Sequence, residues 1–249
     1  MDHKGIRYEV SDGIGRITLS RPEVRNAFTL EMIDKWIQHL EEASSDPAVR
    51  VIVLTGEGSS FCAGADLKEI FEHDETPLHR KDRLANHIQQ IGLITSRIDK
   101  PVIAAVNGPA IGAGMDMALL CDIRIASTTA RLGAAYVKVG VMPGNGAAYY
   151  LPRIVGTSKA LELLLTGKSV EAEEALALGI YSQVVEPDEL PGVVDELAGT
   201  IASYPPVLVQ MIKRTVRHSV TSTLEASLDL VSSAVAIVHT SRSALGGPA

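Results

Sequence analysis

The sequence predicts an α/β fold that is followed by a helical C-terminal region. In the first half of the 249-residue chain, short apolar runs typical of buried strands alternate with stretches whose apolar residues recur every three or four positions, as on one face of a helix. Three of the passages from strand to helix are rich in glycine. This alternation favours a layered fold with mostly parallel strand pairing.

The elements of the first half follow from these patterns in order. Four short apolar runs are predicted strands, at residues 15–19, 49–54, 100–106 and 122–126. Between the first two, residues 29–43 carry aliphatic side chains at the three- and four-residue spacing of one helical face. Thr29 stands where a threonine hydroxyl can accept a hydrogen bond from the first turn, so we expect the helix to begin just after it.

The second half is predicted to be largely helical. The helical stretches are residues 158–166, 170–177, 189–203, 207–218 and 223–238, with one brief strand at 182–185. Pro205 and Pro206 interrupt the pattern before the last two stretches. No linker-like composition divides the chain, so residues 1–249 are predicted to form one domain. Its core covers about residues 1–200 and its helical tail residues 201–249, with disorder expected for the last residues.

Composition excludes several classes of function. The formal net charge of −7 argues against a broad nucleic-acid interface, because phosphate binding needs a basic surface. With two cysteines, Cys62 and Cys121, the chain has neither a disulfide framework nor a CxxC metal site. Its apolar runs are too short to span a membrane, and its charged N-terminus is unlike a signal peptide. We therefore expect a soluble cytoplasmic protein that binds neither nucleic acid nor membrane.

Three glycine-rich junctions are the candidates for a functional site, at residues 60–70, 107–120 and 140–151. Each places free backbone N–H groups near a helix N-terminus, where an anion or a polarised oxygen can bind. None is a dinucleotide-binding motif, because Phe61, Met117 and Tyr149 stand where the third glycine of G-x-G-x-x-G is required. Phosphate-loop, nucleophile-elbow and zinc-binding histidine motifs are also missing from the sequence, and no metal site is predicted.

Five segments in order resemble the enoyl-CoA hydratase/isomerase family, also called the crotonase superfamily: residues 19–27, 61–70, 101–126, 140–156 and 164–179. The resemblance implies a crotonase-like spiral of β-β-α units, a helical C-terminal region, and assembly into a homotrimer or a hexamer. It also implies an acyl-CoA thioester substrate in fatty acid metabolism. No separate cofactor is implied, since coenzyme A is carried as part of the substrate.

The resemblance further assigns roles to particular residues. Two backbone N–H groups, those of Ala65 and Ala113, match the oxyanion hole that grips the thioester carbonyl as it becomes enolate-like. Such preorganised donors act on charge that develops in the transition state. The segments that line the coenzyme A path assign substrate binding to Arg25, Ala27, Ala63, Gly64, Asp66, Leu67 and Gly112. Small residues here would let a flat thioester approach the backbone.

The catalytic positions depart from the family pattern. Family hydratases use two glutamates, and here Asp116 stands at the first position and Tyr136 at the second. We expect Asp116 to act as acid and base, with Tyr136 as an auxiliary donor or a wall of the pocket. Hydratase or isomerase activity is what the resemblance implies, and decarboxylation or C–C hydrolysis through an enolate would need one protic group. Asp116 could instead only bond helix N–H groups, in which case the chain would bind acyl-CoA without catalysis.

Overall fold

The computed structural model describes residues 5–71 and 76–244, which form two β-sheets and the helices packed around them. With strands numbered along the chain, the larger sheet contains β1 (Ile6–Ser11), β2 (Ile14–Leu19), β3 (Val51–Gly56), β4 (Val102–Val106), β6 (Ile123–Ser127) and β9 (Gln183–Val185). Its strands neighbour each other in that order, and only β1 and β2 pair antiparallel. The smaller sheet contains β5 (Ala110–Ile111), β7 (Arg131–Gly133) and β8 (Ser169–Glu171).

The helices connect and cover these strands. They are α1 (Leu30–Ser45), α2 (Leu67–Phe71), α3 (Pro77–Arg83), α4 (Gln90–Arg97), α5 (Ala113–Leu119), α6 (Ala147–Val155), α7 (Thr157–Thr166), α8 (Ala172–Ala177), α9 (Leu190–Ser203), α10 (Pro206–Ser219) and α11 (Leu224–Ala244). A π-helical segment, Leu84–Ile88, joins α3 to α4. The predicted cap of α1 is confirmed, because Thr29 Oγ1 accepts a hydrogen bond from Met32 N at 3.2 Å.

The chain passes repeatedly from the larger sheet to the smaller one. After β4 it enters β5 and then α5, and after β6 it enters β7, so successive strand–strand units bridge the two sheets. The predicted α/β class with a helical C-terminal region is therefore confirmed. The prediction of one domain stays a prediction, and residues 245–249, for which we expect disorder, lie outside the described residues.

One predicted helix is wrong at its start. The apolar spacing predicts a helix over residues 170–177, but Val170 lies in β8 and the helix begins at Ala172. Val170 pairs with Leu132 of β7, and the pairing fixes an extended backbone that the local pattern does not require. The strands β1, β5 and β7 have no counterpart among the predicted elements, and β5 contains only two residues.

The central strands β3 and β4 of the larger sheet are buried on both faces, which explains their continuous apolar runs. In β3, Val51 and Val53 pack toward α9, whereas Ile52 and Leu54 belong to the main core on the opposite face. Side chains alternate between the faces of a strand, so a strand covered on both sides needs apolar residues at every position. This rigid sheet supports the junctions that follow β3 and β4.

Of the last two helices, α10 contacts the core through charged groups. Lys213 Nζ of α10 lies 2.6 Å from Asp122 Oδ2 and donates to Lys100 O at 2.7 Å, and Arg217 Nη2 lies 2.8 Å from Asp122 Oδ1. Many apolar side chains of these helices are exposed instead: Ile212, Val216, Leu224, Leu228, Val235 and Ile237. No helix within the described residues is long and apolar enough to cross a lipid bilayer.

Candidate active site

Two of the predicted junctions lie against each other at the start of α5. Cys62 and Ala110 form an isolated parallel bridge, which places the chain around Gly64 beside the N-terminus of this helix. A Cβ added to Gly64 (φ +96°) would lie 2.9 Å from Ile111 O and 3.2 Å from Ala113 N. The approach of the two backbones therefore requires glycine at this position, since a side chain would collide with the backbone it faces.

The backbone N–H groups of Ala65 and Ala113 are not used by the secondary structure around them. In the bridge between Phe28 and Ala65, Phe28 N donates to Gly64 O and Asp66 N donates to Phe28 O, at 2.9 Å each. The N–H group of Ala65 takes no part in either bond. Ala113 is the first residue of α5, where an N–H group has no carbonyl partner within the helix. Within the described part of the chain, neither group donates a hydrogen bond.

Both alanines line a cavity of about 410 Å³. Four of the residues predicted to bind substrate share its wall, namely Ala63, Gly64, Leu67 and Gly112. The remaining wall is mainly aliphatic, so an apolar group can enter while the two N–H groups stay available for an oxygen. The structure thus brings the predicted oxyanion-hole residues to one wall of a single cavity.

Three other predicted substrate-binding residues lie beside the cavity rather than on its wall. Arg25 is exposed, and its carbonyl oxygen accepts from Ala63 N at 2.9 Å. The carbonyl of Ala27 accepts from Arg21 Nη1 at 2.7 Å, and the same nitrogen lies 3.4 Å from Asp66 Oδ2. Arg21 therefore links these segments, a contact that no motif in the sequence indicated. Binding of substrate by Arg25, Ala27 and Asp66 stays a prediction.

The side chain of Asp116 is fully buried and points toward α6. Its Oδ1 accepts from Ala147 N at 2.6 Å and its Oδ2 accepts from Asn145 N at 3.3 Å. Ala147 is the first residue of α6, so this carboxyl satisfies an N–H group that has no partner within the helix. Burial raises the pKa of Asp116 from 3.8 to about 7, although the neighbouring Tyr136 hydroxyl and the two N–H groups oppose the rise.

Tyr136 stands between Asp116 and the cavity. Its ring is 4% exposed and lines the cavity, and its hydroxyl donates to Gly112 O at 2.7 Å. The hydroxyl also interacts with the Asp116 carboxyl. Burial, together with this neighbouring carboxyl, raises the pKa of Tyr136 far above its ordinary value, so the phenol stays neutral. The two predicted catalytic residues are thus in contact, with Tyr136 on the cavity wall and Asp116 behind it.

This environment predicts a pH-dependent stability. Because the pKa of Asp116 is about 7 in the folded chain and 3.8 in the reference state, the folded chain binds more protons than the unfolded chain between these values. The free energy of unfolding therefore decreases as the pH rises, by about 3 kcal/mol between pH 5 and pH 8 from this group alone.

Urea unfolding at the two pH values measures this dependence. Asp116→Asn cannot ionise, so the variant is expected to lose much less stability over the same interval than the wild type does. Equal losses in the two proteins would show that the Asp116 carboxyl does not ionise near pH 7 in the folded chain.

A further wall of the cavity comes from the π-helical segment, which no motif in the sequence indicated. Leu84 and Ile88 of the π-helical segment line it. Leu84 Cδ1 would lie 3.4 Å from a Cβ added to Gly144, and Gln89 Nε2 donates to Gly144 O at 2.7 Å. Residues 84–88 lie in none of the five segments that resemble the family, so only their position in the fold identifies this wall. The described residues contain no group of three His, Cys, Asp or Glu side chains that could hold a metal ion.

Comparison with known proteins gives a consistent assignment. A model of the enoyl-CoA hydratase/isomerase family matches residues 9–243. The short-chain-enoyl-CoA hydratase of Clostridium acetobutylicum is 35% identical over 236 residues, which cover 94% of this chain and 89% of that protein. The 2,3-dehydroadipyl-CoA hydratase of Escherichia coli is 37% identical over 212 residues, covering 85% of this chain and 81% of that protein.

Solved structures agree with the sequence relatives. A Thermobifida fusca protein crystallised in complex with CoA has a TM-score of 0.88 and 32% identity, and the similarity covers 96% of this chain and 95% of that one. A Geobacillus kaustophilus enoyl-CoA hydratase subunit has the same TM-score of 0.88 with 35% identity, covering 95% of this chain and 90% of that one.

Proposed function

The chain belongs to the enoyl-CoA hydratase/isomerase family, and we propose that it is an acyl-CoA enzyme whose cavity holds a thioester carbonyl between Ala65 N–H and Ala113 N–H. The observation that carries this proposal is the pair of unused N–H groups on one wall of a mainly aliphatic cavity. Both donors are fixed by backbone contacts, so they need no rearrangement when negative charge develops on the oxygen.

Coenzyme A enters this proposal as part of the substrate and not as a separate cofactor. Ala63, Gly64, Leu67 and Gly112 offer a wall of small or aliphatic residues to the thioester and its pantetheine arm. The solved relative with bound CoA, at 32% identity over nearly the whole chain, supports a coenzyme A site in this fold. Arg25 is exposed and free to approach a phosphate, for which a guanidinium is well suited.

Tyr136 and Asp116 act together in the proposed proton transfer. The phenol is on the wall of the cavity, and the carboxyl behind it has a pKa of about 7. For the transfer, the Tyr136 hydroxyl turns from Gly112 O to the Asp116 carboxylate. When the substrate α-carbon then loses a proton to the Tyr136 oxygen, the Tyr136 proton passes to this carboxylate, and the electron pair of the C–H bond forms the enolate. Reversal of both transfers returns a proton to the substrate, so neither residue is consumed.

One relay suits isomerisation better than hydration. Moving a double bond requires a proton to be removed and returned, which a single relay can do. Hydration also requires a group that activates water, and the second family glutamate is replaced by the neutral Tyr136. We therefore propose isomerisation, or another enolate reaction such as decarboxylation or C–C hydrolysis, ahead of efficient hydration.

A second candidate is acyl-CoA binding without catalysis. The observation that favours it is the engagement of both Asp116 oxygens by Ala147 N and Asn145 N. If the Asp116 carboxylate only caps the N-terminus of α6, it transfers no proton. The oxyanion hole would then contribute to acyl-CoA binding and not to catalysis. In either case we propose a homotrimer or hexamer, because the exposed apolar side chains of α10 and α11 need a partner surface.

Ligand-induced stabilisation tests the binding part of the proposal. At a hundredfold excess over the dissociation constant, a ligand of the folded chain adds about 2.7 kcal/mol of stability. This corresponds to an increase of roughly 5–10 °C in the unfolding midpoint for a chain of this size. We expect such an increase with acyl-CoA thioesters and none with NAD or ATP. An increase with NAD and none with any acyl-CoA would overturn the proposed function.

A further inference from the structure

The residue that precedes the proposed donor Ala113 is held on both sides by one stretch of chain. Gly112 N donates to Gly133 O at 2.8 Å, and Gly112 O accepts from the Tyr136 hydroxyl at 2.7 Å. Gly133 is the last residue of β7, and Tyr136 lies in the 3₁₀-helical segment Ala135–Val139 that follows it. This stretch therefore fixes the peptide between Gly112 and Ala113.

The carbonyl of Gly112 and the N–H group of Ala113 belong to this one planar peptide. The peptide is trans, so its C=O and N–H bonds point in opposite directions. Gly112 O also accepts from Met115 N at 2.9 Å and from Asp116 N at 3.2 Å, which means that the carbonyl points into the first turn of α5. The N–H group of Ala113 consequently points out of that turn, and it donates to no group within the described chain.

Hydrogen-bond satisfaction alone does not explain the bond from Tyr136. A carbonyl oxygen has two lone pairs, and the N–H groups of Met115 and Asp116 already reach Gly112 O. The Tyr136 hydroxyl has another acceptor within reach, the carboxyl of Asp116. The bond to Gly112 O therefore adds a third donor to a carbonyl that has two, from a hydroxyl that has an alternative.

We propose that Tyr136 is a positioning residue of the oxyanion hole, because its bond to Gly112 O orients the Gly112–Ala113 peptide and makes Ala113 N–H a stronger donor to the thioester oxygen. Donation to a carbonyl draws electron density from the peptide and leaves its N–H group more positive, and linked bonds strengthen each other by about 10–30%. This inference rests on the proposed acyl-CoA function. Proton transfer uses the same hydroxyl, so the contribution belongs to the bound complex that precedes the transfer.

Infrared spectroscopy of a bound thioester tests this proposal without requiring turnover. The probes are butyryl-CoA and longer saturated acyl-CoA thioesters with an isotopically labelled carbonyl carbon, whose C=O stretching frequency falls as the donors to its oxygen become stronger. We expect the frequency to fall when the thioester binds the wild-type chain. Tyr136→Phe is expected to lose about 10–30% of this shift. Ala113→Pro removes the donor itself and is expected to lose a larger part.

Two variants separate this role from a general effect of mutation. Tyr181→Phe removes another buried hydroxyl that does not line the cavity, so it is expected to keep the full shift. Asp116→Asn interrupts the proposed relay but leaves both the Tyr136 hydroxyl and Gly112 O in place, so it is expected to lose turnover and keep the shift.

The Tyr136→Phe variant is expected to fold, because Gly112 O keeps its two backbone donors. Replacement of Tyr136 by 3-fluorotyrosine provides a second measurement of opposite sign. The fluorine makes the phenol a stronger hydrogen-bond donor, so this protein is expected to show a larger shift than the wild type.

Two results would overturn the proposal and leave the acyl-CoA function standing. One is a Tyr136→Phe or fluorotyrosine protein that binds the thioester with the wild-type shift. The other is a loss of shift in Tyr181→Phe or Asp116→Asn as large as that in Tyr136→Phe. If the thioesters bind the wild-type chain without any shift, the proposed oxyanion hole fails, and if none of them binds, the acyl-CoA function fails; the inference fails in both cases.

Discussion

Replacement of Ala113 by proline is expected to lower the turnover number by about 10²–10³-fold or more while the protein stays folded. Proline removes the N–H group that we propose as an oxyanion donor, and loss of one such donor has an effect of this size in a comparable enzyme. The substitution is compatible with the local backbone, because Ala113 is the first residue of α5 and this position has no helical hydrogen bond to lose. Circular dichroism and the unfolding midpoint would establish that the variant is folded.

Thr157→Pro provides the matched control. Thr157 is also the first residue of a helix, α7, and it is exposed and does not line the cavity. Its replacement removes an N–H group at the equivalent position, so we expect wild-type turnover. A folded Ala113→Pro variant with the activity of Thr157→Pro would exclude Ala113 N–H from the oxyanion hole.

Tyr136→Phe and Asp116→Asn are each expected to reduce turnover by about 10²–10⁴-fold, the usual range for a general acid–base group. In the proposed relay the proton crosses both side chains, so loss of either one interrupts the same path. Tyr136→Phe keeps the ring that fills the wall. Asp116→Asn keeps the side-chain volume, but the new amide has one acceptor oxygen, whereas the carboxyl accepts hydrogen bonds from two N–H groups. The stability of this variant must therefore be measured as well.

Tyr181→Phe is the control for loss of a buried phenol. Tyr181 is 1% exposed, its hydroxyl has no hydrogen-bond partner within the described chain, and it does not line the cavity. We expect this variant to keep full turnover. A large loss in Asp116→Asn with none in Tyr136→Phe would mean that Asp116 reaches the substrate directly. The opposite result would mean that the phenol acts without the carboxyl.

Much of the fold follows from the sequence because its signals are local. The run from Val51 to Leu54 predicts a strand buried on both faces, and the spacing after Thr29 predicts α1 and its cap. The alanines that we propose for the oxyanion hole were predicted from the resemblance of the glycine-rich segments to the family, and the structure explains the need for one of those glycines. Gly64 must lack a side chain because Ile111 O and Ala113 N lie where a Cβ would point.

Other parts of the site depend on contacts between distant residues. Nothing in the sequence near Asp116 indicates that its carboxyl would reach Ala147 N, 31 residues away, because the path depends on how α6 packs beside α5. The wall formed by Leu84 and Ile88 is equally hidden, since residues 84–88 lie outside every segment that resembles the family. Val170 shows the same limit for secondary structure, because pairing with Leu132 overrides the local preference for a helix.

Exchange of the α-proton tests the central claim most directly, because it follows enolate formation without requiring the full reaction to be known. The wild-type protein would be incubated with saturated acyl-CoA thioesters of several chain lengths in deuterated water, and deuterium at the α-carbon would be measured by mass spectrometry. We predict that the protein catalyses incorporation of deuterium into at least one bound thioester, and that Ala113→Pro abolishes it. Tight binding of the thioesters without any exchange above the uncatalysed rate would contradict the account and identify the chain as a binding protein.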